Sequence, residues 1–160
     1  MTEFSSGQRR LTTLIYVFDP LGRTLLMKRA QSPNLGLYSP PGGKVAVDES
    51  PKECAARELL EETGIKISLD ALTPVGLVTE TGYLAPSDQW VMFLYKTTLP
   101  TVIDAPPVSP EGEFQWIPAD AVFQLPIPDT DRAVLWERVV RGDYFEIHIR
   151  CENGKILSII

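Results

Sequence analysis

Three glutamates and one arginine lie within a six-residue stretch, and their side chains suit metal chemistry. Glu58, Glu61 and Glu62 are three or four residues apart, a spacing that places them side by side on one face of a helix. Carboxylates this close repel one another unless a cation joins them. Their oxygen atoms suit Mg²⁺ or Mn²⁺ better than zinc. This stretch therefore predicts a divalent metal site.

The residues around these glutamates suit binding of a metal or a phosphate. Gly42 and Gly43 lie upstream, where the lack of a side chain lets the backbone approach a ligand closely. Arg57 is one helical turn from Glu61 and can orient a carboxylate or contact a phosphate oxygen. A surface helix with an acidic outer face and no chemical role is the alternative, and periodicity alone would favour it.

The helix that carries the glutamates has clear start and stop signals. Ser50 is a suitable N-cap, Pro51 suits the first helical position, and Glu53 stands where a capping-box partner belongs. Gly64 supplies a left-handed stop. We expect the helix to pack on a sheet through an apolar side, formed by Ala55, Ala56, Leu59 and Leu60.

The complete spacing resembles the Nudix hydrolase family. Gly43, five residues, Glu49, seven residues and then RELLEETGI over residues 57–65 match the Nudix box at every specified position. The resemblance implies a metal-dependent hydrolase that cuts the diphosphate linkage of a nucleoside diphosphate joined to another group. It also implies an α/β fold, an α/β/α sandwich around a mixed sheet, in which the box forms a loop, a helix and a loop.

The resemblance also implies roles for the box residues. Glu61 and Glu62 would bind Mg²⁺, with the Gly42 carbonyl as a further ligand and Mn²⁺ as a substitute metal. Glu58 is either another ligand or the general base that takes a proton from the attacking water. Arg57 would hold the carboxylates in place. Glu49 supports the loop or a second metal.

A loop acid downstream would complete the metal site in MutT-type members of the family. By this resemblance the role falls to Glu111, with Glu113 as the rival, and two ordinary loop acids are the alternative. The segment before the box helps to hold the substrate in the family. There Tyr38 and Ser39 are candidates, although Tyr38 could instead anchor the loop to the core.

Further substrate-binding candidates are Arg29, at a predicted strand end, and Gly43 and Lys44, within the box. An acidic pair binds the base edge in oxidised-purine nucleotide diphosphatases, and Asp129 and Asp131 occupy a comparable place. Either aspartate could instead be a helix N-cap. Ser39 stands where those proteins often have Asn, and Pro128 where they often have a stacking Trp, so the purine preference is left open.

Composition limits the classes of partner. The net charge of −6 argues against polymeric nucleic acid, whose binders usually present a basic face. No apolar run is long enough for a membrane span, and residues 1–10 lack the apolar core of a signal peptide. Cys54 and Cys151 have no metal-type spacing and are expected to be reduced in a cytoplasmic protein, with a disulfide as the weaker alternative.

The chain of 160 residues fits one domain, with residues 1–10 as a flexible lead. Residue patterns predict strands at 11–18, 24–29, 72–81 and 90–98, the last of them central in the sheet, and a strand-like run at the end of 111–117. They predict a short helical turn at 118–125, a helix at 131–141, and a hairpin of 143–151 with 155–160. His148 would lie on the polar face of that hairpin rather than act as a base.

The leading function is hydrolysis of a nucleoside triphosphate to a monophosphate and pyrophosphate, with an oxidised purine nucleotide as one candidate. In this interpretation water attacks one phosphorus in line while Mg²⁺ screens the leaving phosphate. Cleavage of ADP-ribose, nucleotide sugars or dinucleoside polyphosphates remains open. So does a module that senses a nucleotide without turnover. Many relatives dimerise, and a homodimer is left open.

Overall fold

The computed structural model describes residues 8–160, which form a mixed nine-stranded sheet with helices on both faces. The strands run in the order β3-β2-β1-β6-β5-β8-β9, while β4 pairs with β1 and β7 pairs with β2. Their bounds are β1 Arg9–Phe18, β2 Arg23–Arg29, β3 Tyr38–Ser39, β4 Gly42–Lys44, β5 Thr73–Thr81, β6 Gln89–Thr98, β7 Gly112–Pro118, β8 Phe145–Glu152 and β9 Lys155–Ile159.

Two helices cover opposite faces of this sheet. Helix α1 spans Pro51–Thr63, and a π-helical turn at Asp131–Leu135 leads into α2 at Trp136–Arg141. One 3₁₀ turn, Leu69–Ala71, lies between α1 and β5, and another, Ala119–Gln124, lies between β7 and the π-helical turn. No helix among residues 8–160 is long and apolar enough to cross a membrane.

The sheet separates two apolar cores, as alternation along its strands requires. On β1, Tyr16 faces the core that contains Trp136 of α2, whereas Ile15 and Val17 face the core that contains Leu59 of α1. Strand β6 lies between β1, to which it is parallel, and β5, to which it is antiparallel. The predicted α/β/α sandwich and the central position of β6 are confirmed.

Helix α1 begins and ends as its sequence predicts. The Ser50 hydroxyl accepts a hydrogen bond from the Glu53 N–H at 3.2 Å, and the Glu53 carboxylate accepts one from the Ser50 N–H at 2.8 Å. Gly64 ends the helix with φ of 75°. The predicted apolar side is wrong at Leu60, which is 45% exposed, because Cys54 takes part in the buried side instead.

Long-range strand pairing differs from the predicted pairing at two places, the hairpin of β1 with β2 and the start of β1. The predicted hairpin of β1 and β2 pairs only at Phe18 and Thr24, since β1 continues along β6 and β4 while β2 continues along β7. Arg9 and Arg10 belong to β1, which begins two residues earlier than predicted. The rest of the predicted flexible lead, residues 1–7, lies outside the described residues.

Replacing Leu59 with Ala tests the packing of α1 on the sheet. Leu59 is 0% exposed, so the cavity left by its side chain should lower the free energy of unfolding by about 2–5 kcal/mol in urea titrations. Leu60→Ala on the same helix is the matched control and should cost about 0.5 kcal/mol or less. Equal effects of the two substitutions would contradict this packing.

Candidate active site

Strand β4 forms the centre of the site because two adjacent glycines bring backbone close to both a neighbouring strand and a helix. β4 pairs antiparallel with β1, with Gly42 opposite Leu14 and Gly43 opposite Thr13. A Cβ at Gly42 would overlap the Thr13 carbonyl, and a Cβ at Gly43 would overlap the Glu58 carboxylate. Glycine at both positions therefore allows β4 to lie between β1 and the acidic side of α1.

Arg57 gathers three of the carboxylates. Its Nε and Nη2 atoms donate to the two Glu49 oxygens at 2.9 and 2.6 Å, a bidentate pairing. Its Nη1 atom donates to Glu58 Oε1 at 3.0 Å and to Glu61 Oε2 at 3.2 Å. These bonds lower the pKa of Glu49 to about 2 and raise that of Arg57 well above its usual range. Arg57 thus fixes the carboxylates relative to one another.

Glu62 lies in the most enclosed part of the cluster. Its Oε2 atom accepts a hydrogen bond from the Gly42 N–H at 3.1 Å. The pKa of Glu62 is raised to about 8, mainly by burial and also by the nearby carboxylates of Glu58 and Glu111, against the lowering effects of the Gly42 bond and of Arg29. A partly buried acid with an elevated pKa beside like charges is typical of functional sites.

Glu58 and Glu111 share this electrostatic environment. Burial raises the pKa of Glu58, as do Glu61 and Glu111, although Arg57 lowers it. Glu111 belongs to the turn before β7, where its carbonyl accepts a hydrogen bond from the Ala30 N–H at 2.8 Å. Glu113, the rival candidate, lines a separate cavity. The positions of the two acids favour Glu111 as the loop acid.

The oxygen donors of this cluster fit a divalent cation such as Mg²⁺, whose charge would offset the mutual repulsion of Glu58, Glu62 and Glu111. Within residues 8–160, however, no three acidic, histidine or cysteine side chains converge tightly enough to form a finished metal site. Arg57 holds Glu58 and Glu61, and Glu62 turns to the Gly42 N–H. Ligation would require these side chains to rotate toward a common ion.

A cavity of about 320 Å³ opens on the other side of β4. Its apolar walls include Trp90, Met92 and Leu14. Predicted substrate-binding residues that line it are Arg29, Ser39, Gly43, Lys44 and Asp131. Because Gly42 and Gly43 line the cavity and also contact Glu62 and Glu58, a ligand in the cavity would reach the carboxylates across the glycines.

Two predicted substrate residues lie elsewhere. Tyr38 is buried in the core that contains Trp136 and does not line the cavity, which favours its interpretation as an anchor. Asp129 is exposed and does not line the cavity. Asp131 lies within the π-helical turn, so the interpretation of Asp131 as an N-cap is wrong.

The histidine and the two cysteines occupy defined places in the fold. His148 lies on β8 and shares a 2.7 Å hydrogen bond with the Thr79 hydroxyl, so it is partly buried rather than fully solvated. Cys54 and Cys151 are buried free thiols, as predicted. The thiol of Cys54 contacts the carbonyl of Lys44 at 3.4 Å, which places it behind β4.

Sequence reasoning missed Glu80, a buried acid that lines the cavity. Burial, with a smaller effect from the charge of Asp131, raises the pKa of Glu80 to about 7. The signal was available in the strand pattern, because Glu80 is two residues from the buried Val78 and so shares its inward face. Asn34 and Tyr83 were also missed; they line the cavity and are joined by a 2.8 Å hydrogen bond.

Comparison with known proteins gives concordant matches. The NUDIX domain model matches residues 8–136. The oxidized purine nucleoside triphosphate hydrolase of Mus musculus is 33% identical over 120 residues, 75% of this chain and 71% of that protein. A MutT-like protein of Streptomyces ambofaciens is 42% identical over 64 residues, but the match spans only 40% of either chain. The crystal structure of the mutator MutT protein from Bacillus halodurans has a TM-score of 0.80 and 26% identity, covering 94% of this chain and 96% of that one.

The elevated pKa values predict how stability changes with pH when no divalent metal is added. Burial raises the pKa of Glu62 to about 8 and those of Glu80 and Asp131 to about 7. The folded chain then binds more protons than the unfolded chain between about pH 4.5 and pH 8. We therefore expect the free energy of unfolding in the presence of a chelator to decrease as the pH rises through this window.

Two variants separate the contribution of Glu62 from a general charge effect. In the Glu62→Gln variant the free energy of unfolding should decrease less between about pH 7 and pH 8 than in the wild-type protein. Glu53→Gln removes an acid whose pKa is lowered by its bonds to Ser50, so it should leave that decrease unchanged. An unfolding free energy that stays constant or rises across the window in the wild-type protein would contradict the assigned burial.

Proposed function

The chain belongs to the Nudix family, since the domain model spans most of it, and on this premise we propose that it hydrolyses a nucleoside triphosphate to a monophosphate and pyrophosphate. The observation that carries this proposal is the place of Gly42 and Gly43 between a ligand-sized cavity and the carboxylates of Glu62 and Glu58. The printed name of the mouse relative, an oxidized purine nucleoside triphosphate hydrolase, supports this substrate class.

The proposed mechanism divides the ligand between the two sides of β4. The base would occupy the cavity, and the phosphates would cross Gly43, where no side chain blocks the backbone. Arg29 and Lys44 line that path and would contact phosphate oxygens. A divalent cation, Mg²⁺ or its substitute Mn²⁺, would screen the charge that develops on the leaving phosphate. Its proposed ligands are Glu61, Glu62, the Gly42 carbonyl and Glu111, with Glu58 as a further candidate.

Glu58 has a second possible role in this mechanism. Its burial and elevated pKa suit a carboxylate that accepts a proton from the attacking water. The hydrogen bond from Arg57 holds Glu58 in position in either role. Glu49 would act through Arg57, because its bidentate pairing fixes the guanidinium plane.

We further propose that the protein is cytoplasmic and that residues 1–160 form one Nudix domain. The buried free thiols of Cys54 and Cys151 are compatible with a reducing compartment. Its partner would be a small nucleotide rather than a nucleic-acid polymer, because the net charge is −6. Association into a homodimer is left to measurement.

A nucleotide panel tests the proposed reaction. Purified protein with Mg²⁺ is offered nucleoside triphosphates including an oxidised purine form, ADP-ribose, a nucleotide sugar and a dinucleoside polyphosphate, and release of phosphate or pyrophosphate is followed. We expect pyrophosphate from a triphosphate, and Glu61→Gln and Glu62→Gln should each reduce kcat/KM at least about 100-fold. Glu53→Gln, on the same helix but outside the cluster, is the control and should retain activity.

The other outcomes of the panel point to different functions. Turnover of ADP-ribose or a dinucleoside polyphosphate alone would show that the proposed substrate class is wrong, while the protein would still be a hydrolase. Tight nucleotide binding without any product would identify a sensing module. Full Mg²⁺-dependent activity of Glu61→Gln would refute the role assigned to that residue.

Arg57→Lys tests whether the guanidinium positions the carboxylates. Lysine keeps the positive charge but cannot bond Glu49 through two nitrogens while also bonding Glu58 and Glu61. We expect the Mg²⁺ concentration needed for half-maximal activity to rise about 10-fold or more. Arg141→Lys, which alters an exposed pair with Glu137, is the matched control. An unchanged Mg²⁺ requirement would argue that Arg57 has no positioning role.

A further inference from the structure

The outer edge of β4 is bonded by side chains of α1 instead of by another strand. Among residues 8–160, β4 pairs with β1 alone, and the backbone groups of successive residues in a strand point to opposite edges. The N–H of Gly42 and the carbonyl of Lys44, two residues apart, therefore point to the same edge. The N–H donates to Glu62 at 3.1 Å, and the carbonyl accepts from Arg57 at 3.3 Å. Helix α1 thus fixes the edge of β4 that faces away from β1.

Cys54 supplies a second hydrogen bond to the Lys44 carbonyl. Its sulfur lies 3.4 Å from that oxygen and 3.8 Å from the carbonyl oxygen of Gly43. The Nη2 atom of Arg57, which also donates to the Lys44 carbonyl, is 3.8 Å from the Cys54 sulfur. Cys54 is fully buried, so water does not compete with the thiol as a donor. The thiol therefore lies where β4 and the guanidinium of Arg57 meet.

Thr13 contacts the same thiol from the sheet. It lies on β1, opposite Gly43 in the register, and is also fully buried. Its hydroxyl oxygen is 3.5 Å from the Cys54 sulfur, and either atom can be the donor. When the hydroxyl donates to the sulfur, the thiol hydrogen is left to point at the Lys44 carbonyl. One chain of polar contacts therefore joins β1, α1 and β4.

The packing of α1 on the sheet does not require this polar pair. The rest of the interface is apolar and buried, with Ala55 and Leu59 on the helix and Ile15 and Val17 on β1. A valine would fill nearly the same space as Thr13 without a hydroxyl that needs a partner when it is buried. The hydroxyl and the thiol occur only where this interface adjoins β4, whose outer backbone groups need fixed partners.

We propose that Cys54 and Thr13 are positioning residues that fix the outer edge of β4 for binding of a divalent cation. The Gly42 carbonyl, a proposed metal ligand, belongs to the same edge as the Lys44 carbonyl that the thiol bonds. The thiol also contacts the guanidinium of Arg57, which orients the carboxylates. This inference rests on the proposed metal-dependent hydrolysis and extends it to two residues behind the site.

Titration with Mn²⁺ in the absence of nucleotide tests the role of the thiol. Free Mn²⁺ is followed by electron paramagnetic resonance, which requires no turnover. We expect Cys54→Ala to raise the Kd for Mn²⁺ about fivefold or more, because β4 and Arg57 lose a shared contact. Cys54→Ser keeps a donor at this position and should bind Mn²⁺ within about twofold of the wild-type protein.

Two substitutions of Thr13 test whether its hydroxyl acts through the thiol. Thr13→Val removes the hydroxyl at nearly constant shape and should also raise the Kd for Mn²⁺, whereas Thr13→Ser should bind as the wild-type protein does. The double variant Thr13→Val/Cys54→Ala should bind little more weakly than Cys54→Ala, since both changes break one chain of contacts. Fully additive effects would overturn the coupling between Thr13 and Cys54.

Cys151→Ala distinguishes positioning from a general loss of stability. It removes the other buried free thiol, which lies on β8 in the core that contains Trp136. Both cysteine variants should lower the Tm, but only Cys54→Ala should weaken Mn²⁺ binding. Unchanged Mn²⁺ affinity in Cys54→Ala would overturn the proposal whatever the change in Tm. So would an equal loss of affinity in Cys151→Ala, because metal binding would then follow stability alone.

Hydrogen exchange of the metal-free protein reports the order of β4 directly. The N–H groups of Gly42 and Val45 both donate hydrogen bonds that hold this strand in place. We expect these two amides to exchange about fivefold faster or more in Cys54→Ala, and to keep their wild-type rates in Cys151→Ala. Unchanged exchange of both amides in Cys54→Ala would show that the thiol does not fix β4.

Hydrolysis assays separate this inference from the proposed reaction. If the wild-type protein binds Mn²⁺ but hydrolyses no nucleotide, the proposed function fails, while the Mn²⁺ titrations still decide the role of Cys54. If it hydrolyses a nucleotide, Cys54→Ala should need about fivefold more Mg²⁺ for half-maximal activity and keep kcat at saturating Mg²⁺ within about twofold. A lower kcat with an unchanged Mg²⁺ requirement would overturn the positioning role.

Discussion

Arg57 stabilises a group of negative charges that would otherwise move apart, and the geometry of the site depends on this interaction. Its guanidinium bonds Glu49, Glu58 and Glu61, while the backbone N–H of Gly42 bonds Glu62. These bonds hold the carboxylates at a short separation before any cation binds. Burial, and after it the remaining repulsion, raises the pKa values of Glu58 and Glu62.

The arrangement of Arg57 and the glutamates is effective because helix α1 is held rigidly on the sheet. Leu59 is buried in one of the two cores, and the capping box and Gly64 define where the helix starts and stops. β4 then lies between this helix and the cavity, and its two glycines keep the separation small. A ligand in one layer can therefore reach carboxylates that belong to another.

Acids with raised pKa values recur on both sides of β4, and folding alone explains none of them. Glu62, Glu80 and Asp131 all have pKa values raised by burial, which means that their ionised forms destabilise the fold. Local features that oppose stability tend to mark functional positions. These three residues fall at the proposed phosphate end and base end of one ligand path.

The sequence by itself determined the features that depend on near neighbours along the chain. The caps of α1, the spacing of Arg57 and the glutamates, and most strand positions are set by residues within a few places of one another, so pattern and propensity suffice. The full box spacing also identified the family, and with it the α/β/α architecture.

Only the tertiary structure decided which distant residues meet. In the tertiary structure Cys54 lies on the buried side of α1 and Leu60 does not. Strand β1 pairs with β2 at only one register position, and Glu80 and Asp131 line the same cavity. Each result depends on strand register and on packing between layers, and these arise from contacts between residues far apart in the chain. Local sequence carries little information about such contacts, because their free energy exists only once the layers have assembled.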